Sequence, residues 1–134
     1  MIISYTNVRA RYADVDLMGY VYYGNYATYY EVGRTNALRE LGTSYKIMEA
    51  NGIIMPVHSL YCRFVKPAHY DDLLRVKTIV PEMPAGRMSF EYEICNEQEE
   101  LLNTGKTVLA FLSKKDNKVV RIPAWFEKLL LPYF

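Results

Sequence analysis

Only two cysteines occur among the 134 residues, Cys62 and Cys95. That is too few for a disulfide framework, so a reduced, cytoplasmic setting is the default expectation. Long apolar runs are lacking as well. The longest spans residues 108–112, far short of a bilayer-crossing helix. No charged segment leads into an apolar stretch at the start of the chain, so no signal peptide is expected. Neither sign of charge is in excess: 16 basic residues face 15 acidic ones. The chain thus has no basic footprint for nucleic acid and no polybasic stretch for a membrane surface. The two histidines, His58 and His69, have no partner at metal-ligand spacing, and zinc usually needs three or four ligands, so no metal site is expected. There is no Gly-x-Ser-x-Gly elbow, no Gly-x-Gly-x-x-Gly fingerprint and no P-loop. Those gaps argue against a serine hydrolase and against dinucleotide or ATP use.

What the chain does have is apolar content and tyrosine. Hydrophobic residues make up 51%, enough for an ordinary core in one domain spanning residues 1–134. Of 13 tyrosines, six fall between Tyr20 and Tyr30. A tyrosine in a core keeps its polar tip on water or backbone, so this density predicts the lining of a partly wet pocket.

The apolar periodicity changes along the chain. Residues 2–11 are rich in Ile, Tyr, Thr and Val and read as a strand, and residues 14–24 read as a loop. From residue 25 the period becomes helical: Tyr26, Tyr29, Tyr30, Gly33, Ala37 and Leu41 share one face, with Ala27 and Leu38 at its edge. Asn25 is the expected N-cap, and Gly42 the expected stop. Alternation then predicts strands over residues 58–64, 74–80 and 88–94. Residues 108–112 are apolar on both parities, as in a strand covered on both faces. A turn at Asp116-Asn117 and a last strand over 118–122 follow, and Pro123 opens a short amphipathic helix through residue 130. The fold class is therefore α+β: one long helix wrapped by a five- to six-stranded antiparallel sheet, with a short C-terminal helix.

Few polar groups converge. Asp14 and Asp16 stand just before the long helix, where loop acids commonly cap turns. The same place also suits chemistry. A helix N-terminus exposes unpaired N–H groups and positive dipole charge, which stabilise the oxyanion of acyl transfer. A carboxylate beside it supplies a nucleophile or a base for water.

Residues 12–34 resemble the signature of the 4-hydroxybenzoyl-CoA thioesterase family of hotdog-fold enzymes, in which an Asp-x-Asp-x-x-Gly segment leads through aromatics and an Asn-Tyr pair into the central helix. The matching residues are Asp14, Asp16, Gly19, Val21, Tyr22, Tyr23, Asn25 and Tyr26, with Glu31 and Arg34 beyond them. The likeness continues in residues 63–68, 70–72 and 121–123. The resemblance implies a hotdog fold and hydrolysis of an acyl or aroyl thioester to the free acid and CoA. Asp16 is then the catalytic carboxylate, and the Tyr23 backbone N–H polarises the thioester carbonyl. Some relatives carry a histidine at the Tyr23 position, whereas this chain does not. Tyr12, Gly19, Val21, Asn25 and Tyr26 are the expected substrate-binding residues, and Arg87 is the expected contact for the CoA nucleotide, with Lys66, Lys114 and Lys115 as weaker options. Glu31 is the reserve catalytic residue, because another hotdog subfamily uses a helix glutamate.

Arg34 falls within the apolar face, and Glu31, three residues earlier, is its expected ion-pair partner. Cys62 is expected to be a small core residue beside Leu60 and Phe64. No cofactor is implied beyond the coenzyme A of the substrate. The expected partners are an acyl-CoA or acyl carrier protein thioester and further copies of the chain, as a dimer or tetramer. Two other functions share this fold: a hydratase or dehydratase, which needs a carboxylate–histidine pair absent from residues 14–41, and a thioester-binding protein without turnover.

Overall fold

In the computed structural model, which describes residues 1–134, five strands form one antiparallel sheet around a long helix. The strands are β1 (Ile2–Arg9), β3 (Val57–Phe64), β4 (Leu73–Val80), β5 (Arg87–Cys95) and β6 (Leu101–Ala110), in the spatial order β1-β4-β5-β6-β3. The helix α1 (Tyr26–Glu40) packs across them. A two-stranded piece, β2 (Ile53–Ile54) with β7 (Leu112–Ser113), lies beside the main sheet. Two short helices complete the chain, α2 (Tyr45–Ala50) and α3 (Ala124–Leu130). No helix is long and apolar enough to cross a membrane.

The inward faces of β4 and β5 carry Leu74, Val76, Val80, Met88, Phe90 and Ile94, all fully buried. Each such side chain contributes about 1.5–3 kcal/mol relative to an exposed one. Against them α1 buries Tyr26, Tyr29, Tyr30, Gly33, Ala37 and Leu38. The helix lies so close to the sheet that a Cβ at Gly33 would collide with Thr78 Oγ1 and Val76 Cγ1. Gly105 on β6 makes the matching concession, because a Cβ there would run into the Tyr30 ring.

Several expectations need correction. Asn25 does not cap α1: its backbone is already helical, and its side chain donates to the Asp14 carbonyl at 2.8 Å instead. Gly42 does end the helix, with φ +89°. The α2 turn, started by Ser44 Oγ accepting from the Ile47 N–H, had no apolar period to betray it. β6 begins seven residues before the apolar run at 108–112, because its middle carries Asn103, Thr104, Gly105, Lys106 and Thr107. That run is covered on one face only: Leu109 and Phe111 are buried, Val108 and Ala110 half-buried. Residues 118–122 form no strand, and only Val119 bridges to Leu112. Finally, β3 closes one end of the sheet and nothing covers it. Leu60 and Phe64, inward by alternation, remain 52% and 54% exposed, and Cys62 between them is half-buried.

Candidate active site

The stretch between β1 and α1 is folded by its two aspartates. Residues Tyr12–Asp14 make one tight turn, and Asp14 is buried at its end, 5% exposed. Its carboxylate accepts from the Arg11 N–H at 3.0 Å, from the Arg11 guanidinium at 3.1 Å and from the Tyr29 hydroxyl at 3.0 Å. Burial pushes the Asp14 carboxyl up, but these donors outweigh it and hold the group below the usual aspartate range. Tyr29 is shifted the other way, raised by burial and by its bond to the anion.

Asp16 plays a different part. It is half-buried, and its Oδ1 accepts from the Met18 N–H at 2.9 Å and the Tyr20 N–H at 3.3 Å. The turn closes where the Gly19 N–H reaches the Asp16 carbonyl at 3.0 Å, with Gly19 at φ +81°. A left-handed backbone of this kind suits glycine. No protein hydrogen bond reaches the second carboxylate oxygen of Asp16. The chain then returns through Val21, whose N–H donates to Ala68, and Tyr22, whose N–H donates to the Asp14 carbonyl at 2.8 Å. Tyr23–Asn25 form a tight turn that runs directly into α1. The leading N–H groups of such a helical start have no partner within it and sit at its positive end.

Asp16 and Tyr23 line one cavity of about 270 Å³, together with Val21, Tyr26, Met18 and Tyr20. Its remaining wall is residues 64–67, from the end of β3. Tyr26 meets Phe64 edge-on at 5.4 Å between ring centres. Most of the lining is apolar, so Asp16 and the first residue of the turn leading into α1 border a space walled by four aromatic rings, Met18, two valines and a proline. The wall formed by Phe64, Val65 and Pro67 was missed as part of the site. Its signal was the Lys66-Pro67 stop after an alternating strand, which marks a strand end but not what it faces.

Of the expected site residues, the structure gathers Asp16, Tyr23, Val21 and Tyr26. Gly19 shapes the turn without lining the cavity, and Asn25 supports the loop from behind through the Asp14 carbonyl. Tyr12 does not line it: the ring is 76% exposed and stacks on Tyr70 at 3.9 Å. Glu31 is exposed on the outer side of α1 and makes no ion pair. Arg34 therefore has no carboxylate partner. Its guanidinium, 6% exposed, donates to the hydroxyls of Tyr45 at 2.9 Å and Tyr92 at 3.2 Å. Arg87 sits at the far end of the sheet, in a separate hollow of about 570 Å³ that it shares with Glu82, Ser89 and Val119. Along β3 the two ends lie seven residues apart, roughly 23 Å at strand spacing, so one chain does not bring Arg87 to Asp16.

Comparison with known proteins places the chain in a family. Residues 10–130 match the thioesterase-like superfamily. The putative acyl-CoA thioesterase YneP of Bacillus subtilis is 36% identical over 101 residues, covering 75% of this chain and 73% of that protein. The acyl-CoA thioester hydrolase YbgC of Escherichia coli O157:H7 is 28% identical over 116 residues, 87% of each chain. Among solved structures, a DHNA-CoA thioesterase from Staphylococcus aureus superposes with a TM-score of 0.92 at 41% identity, covering 99% of this chain and 89% of that one. The 4-hydroxybenzoyl-CoA thioesterase shares the hotdog fold, with a TM-score of 0.86 at 20% identity over 96% of this chain and 99% of that one. A sheet wrapped on one long helix thus has its family: the chain belongs to the thioesterase-like superfamily of hotdog-fold thioester hydrolases.

Proposed function

We propose that this protein is an acyl-CoA thioesterase that hydrolyses an aroyl thioester to the free acid and CoA. The observation that carries the reading is the cavity that Asp16 and Tyr23 both line, Tyr23 being the first residue of the helical start, with one Asp16 oxygen free of protein bonds. In this mechanism the thioester carbonyl oxygen accepts the Tyr23 N–H. The carbonyl carbon is attacked by the Asp16 carboxylate, or by a water that Asp16 deprotonates. The C=O electron pair moves onto oxygen, and its return breaks the C–S bond and expels the CoA thiolate. Where Asp16 attacks directly, water then cleaves the mixed anhydride. One aimed oxyanion donor is worth about 3–4 kcal/mol and a positioned base about two to four powers of ten, enough for an already activated thioester. A backbone donor does not depend on the side chain, so tyrosine in place of histidine at residue 23 leaves this route open.

The rings of Tyr20, Tyr23, Tyr26 and Phe64 support an aromatic acyl group, as does the kinship with the DHNA-CoA thioesterase. CoA enters as part of the substrate and no further cofactor is invoked. A cytoplasmic setting fits an acyl-CoA donor, and acyl carrier protein is the alternative carrier.

A second copy completes the proposed site. β3 ends the sheet with an open side, where Val57, Leu60, Tyr61 and Phe64 are exposed. Such an edge invites strand pairing. Antiparallel addition of another β3 sets Phe64 beside the partner's Val57. The Ala110 N–H bonds Pro56, next to Val57, and Ala110 pairs with Arg87. The partner's Arg87 then lies about three strand spacings, roughly 14 Å, from the Asp16 cavity. An extended pantetheine arm spans a gap of that order, so Arg87 keeps its assignment to the CoA phosphates, across the seam.

The test is thiol release from a panel of acyl- and aroyl-CoA esters. Asp16→Asn should lower kcat at least ~100-fold on the best substrate. Equal rates for parent and variant would remove Asp16 from the mechanism, and Glu31→Gln would be assayed next.

A further inference from the structure

We propose that Asp14 and Tyr29 form a positioning pair that sets the distance between the Asp16 carboxylate and the Tyr23 N–H. The inference rests on the thioesterase reading and assigns work to two residues outside the cavity. Asp14 is bonded to both segments whose spacing matters. Its side chain is tied to α1 through the Tyr29 hydroxyl, and to the start of the loop through Arg11. Its carbonyl accepts the Tyr22 N–H at 2.8 Å, one residue before Tyr23, and the Asn25 side chain at 2.8 Å. Two residues further on stands Asp16, which the Tyr20 N–H and Met18 N–H hold in its own turn.

Asp14 is thus the only side chain joined at once to α1, to the segment leading into the loop and, through its backbone, to the start of the helical donors. Tyr29 fits the role because it is 2% exposed and its ring is wedged edge-on against Tyr26, a wall of the cavity, at 5.9 Å. Its hydroxyl has one protein partner, the buried carboxylate. Without that bond, the loop bearing Asp16 keeps the backbone ties of Asp14 to Tyr22 and Asn25 but loses its side-chain tie to the body of α1. Displacement by about an ångström suffices to cost a large factor in a reaction that depends on near-attack geometry.

The charged and titratable groups acting on Asp14 are Arg11 from its own turn and Tyr29 from α1. Ionised Asp14 accepts all three donors, and protonation removes that capacity. The pair therefore works above the depressed Asp14 pKa and fails below it. Losing the Tyr29 hydroxyl removes one of the bonds that keep the carboxyl low, so the failure moves to higher pH.

Tyr29→Phe keeps the ring and deletes the hydroxyl. On the aroyl-CoA ester hydrolysed best by the parent, it should lower kcat about tenfold with KM within twofold. The acid limb of its kcat profile should move to higher pH, and amide exchange at Met18 and Tyr20 should speed up. Asp14→Asn, which fails to present two acceptors, should lose about 100-fold in kcat. A folded Tyr29→Phe with parental kcat, acid limb and exchange overturns the proposal, as does one that is merely easier to unfold. Failure of the wider reading looks different. If the parent itself releases no thiol, exchange at Met18 and Tyr20 alone decides whether the pair holds the loop: faster exchange in Tyr29→Phe supports it, and unchanged exchange overturns it.

Discussion

Arg34 donates its Nε–H to the Tyr45 hydroxyl at 2.9 Å, and this bond ties the middle of α1 to the first residue of α2. The guanidinium is buried with no carboxylate, so phenol oxygens are its hydrogen-bond partners. Burial lowers the pKa of such a cation, but its two phenols outweigh that and keep it raised. A donor left without an acceptor in this setting costs about 1–3 kcal/mol. Tyr45→Phe should therefore lower unfolding stability by about that amount, read as a drop in the urea midpoint with an unchanged slope. Thiol release per folded molecule should stay at the parental level, because neither residue reaches the Asp16 cavity.

The closeness of α1 to the sheet makes a second, sharper stability prediction. Gly105 leaves room for the Tyr30 ring, which also stacks on Tyr92 at 4.2 Å. Gly105→Ala should destabilise by about 1–3 kcal/mol through forced displacement of that ring. Combined with Tyr30→Leu, which vacates the space, the two changes should be clearly non-additive in denaturant titrations. Strict additivity would show that the ring is not what fills the gap.

How far these features were legible from sequence depends on how local they are. Asp16, Val21, Tyr23 and Tyr26 fall within eleven residues, and the helical period starting at Tyr26 told where the acid stood relative to a helix start. The wall from Phe64 to Pro67 comes from a strand forty residues away, and no local pattern says which loop an edge strand will face. Arg34 shows the reverse failure. Spacing of three residues made Glu31 a plausible partner, yet Glu31 stays on the exposed side of the helix. The phenols that serve Arg34 arrive from α2 and β5, which sequence spacing cannot show. β6 was truncated for a related reason: buried Asn103 and Thr107 are satisfied by Tyr30 and Tyr92 across the core, so polar letters sit inside a strand.

Asp14 gives the chain a defined response to acid. Its carboxyl is held below the value near 3.9 expected in an unfolded chain. The stabilisation is therefore fully present above that unfolded value and is lost as pH falls through the lower folded one. Urea midpoints measured from about pH 5 down to pH 2 should fall more steeply for the parent than for Asp14→Asn, which has no such group to protonate. Parallel curves would mean that the buried carboxylate contributes no pH-dependent stability.

The proposed seam at β3 predicts complementation between two defective subunits. Arg87→Ala alone should raise KM for an aroyl-CoA while leaving hydrolysis of a short N-acetylcysteamine thioester unchanged, since only the former carries phosphates. Asp16→Asn alone should be inactive on both. In a mixed dimer, one cavity takes its Asp16 from the Arg87→Ala subunit and its Arg87 from the Asp16→Asn subunit, so that cavity is intact. Mixing and re-equilibrating the two variants should therefore restore a component with the parental KM for aroyl-CoA. The amount should follow the fraction of mixed dimers. If Arg87 acted within its own chain, the mixture would show only the raised KM of the Arg87→Ala subunits, and if it did not act at all, Arg87→Ala alone would keep the parental KM. Leu60→Lys is the control for the seam itself: a charge on the open edge opposes strand addition, and light scattering should then report a monomer in which mixing rescues nothing.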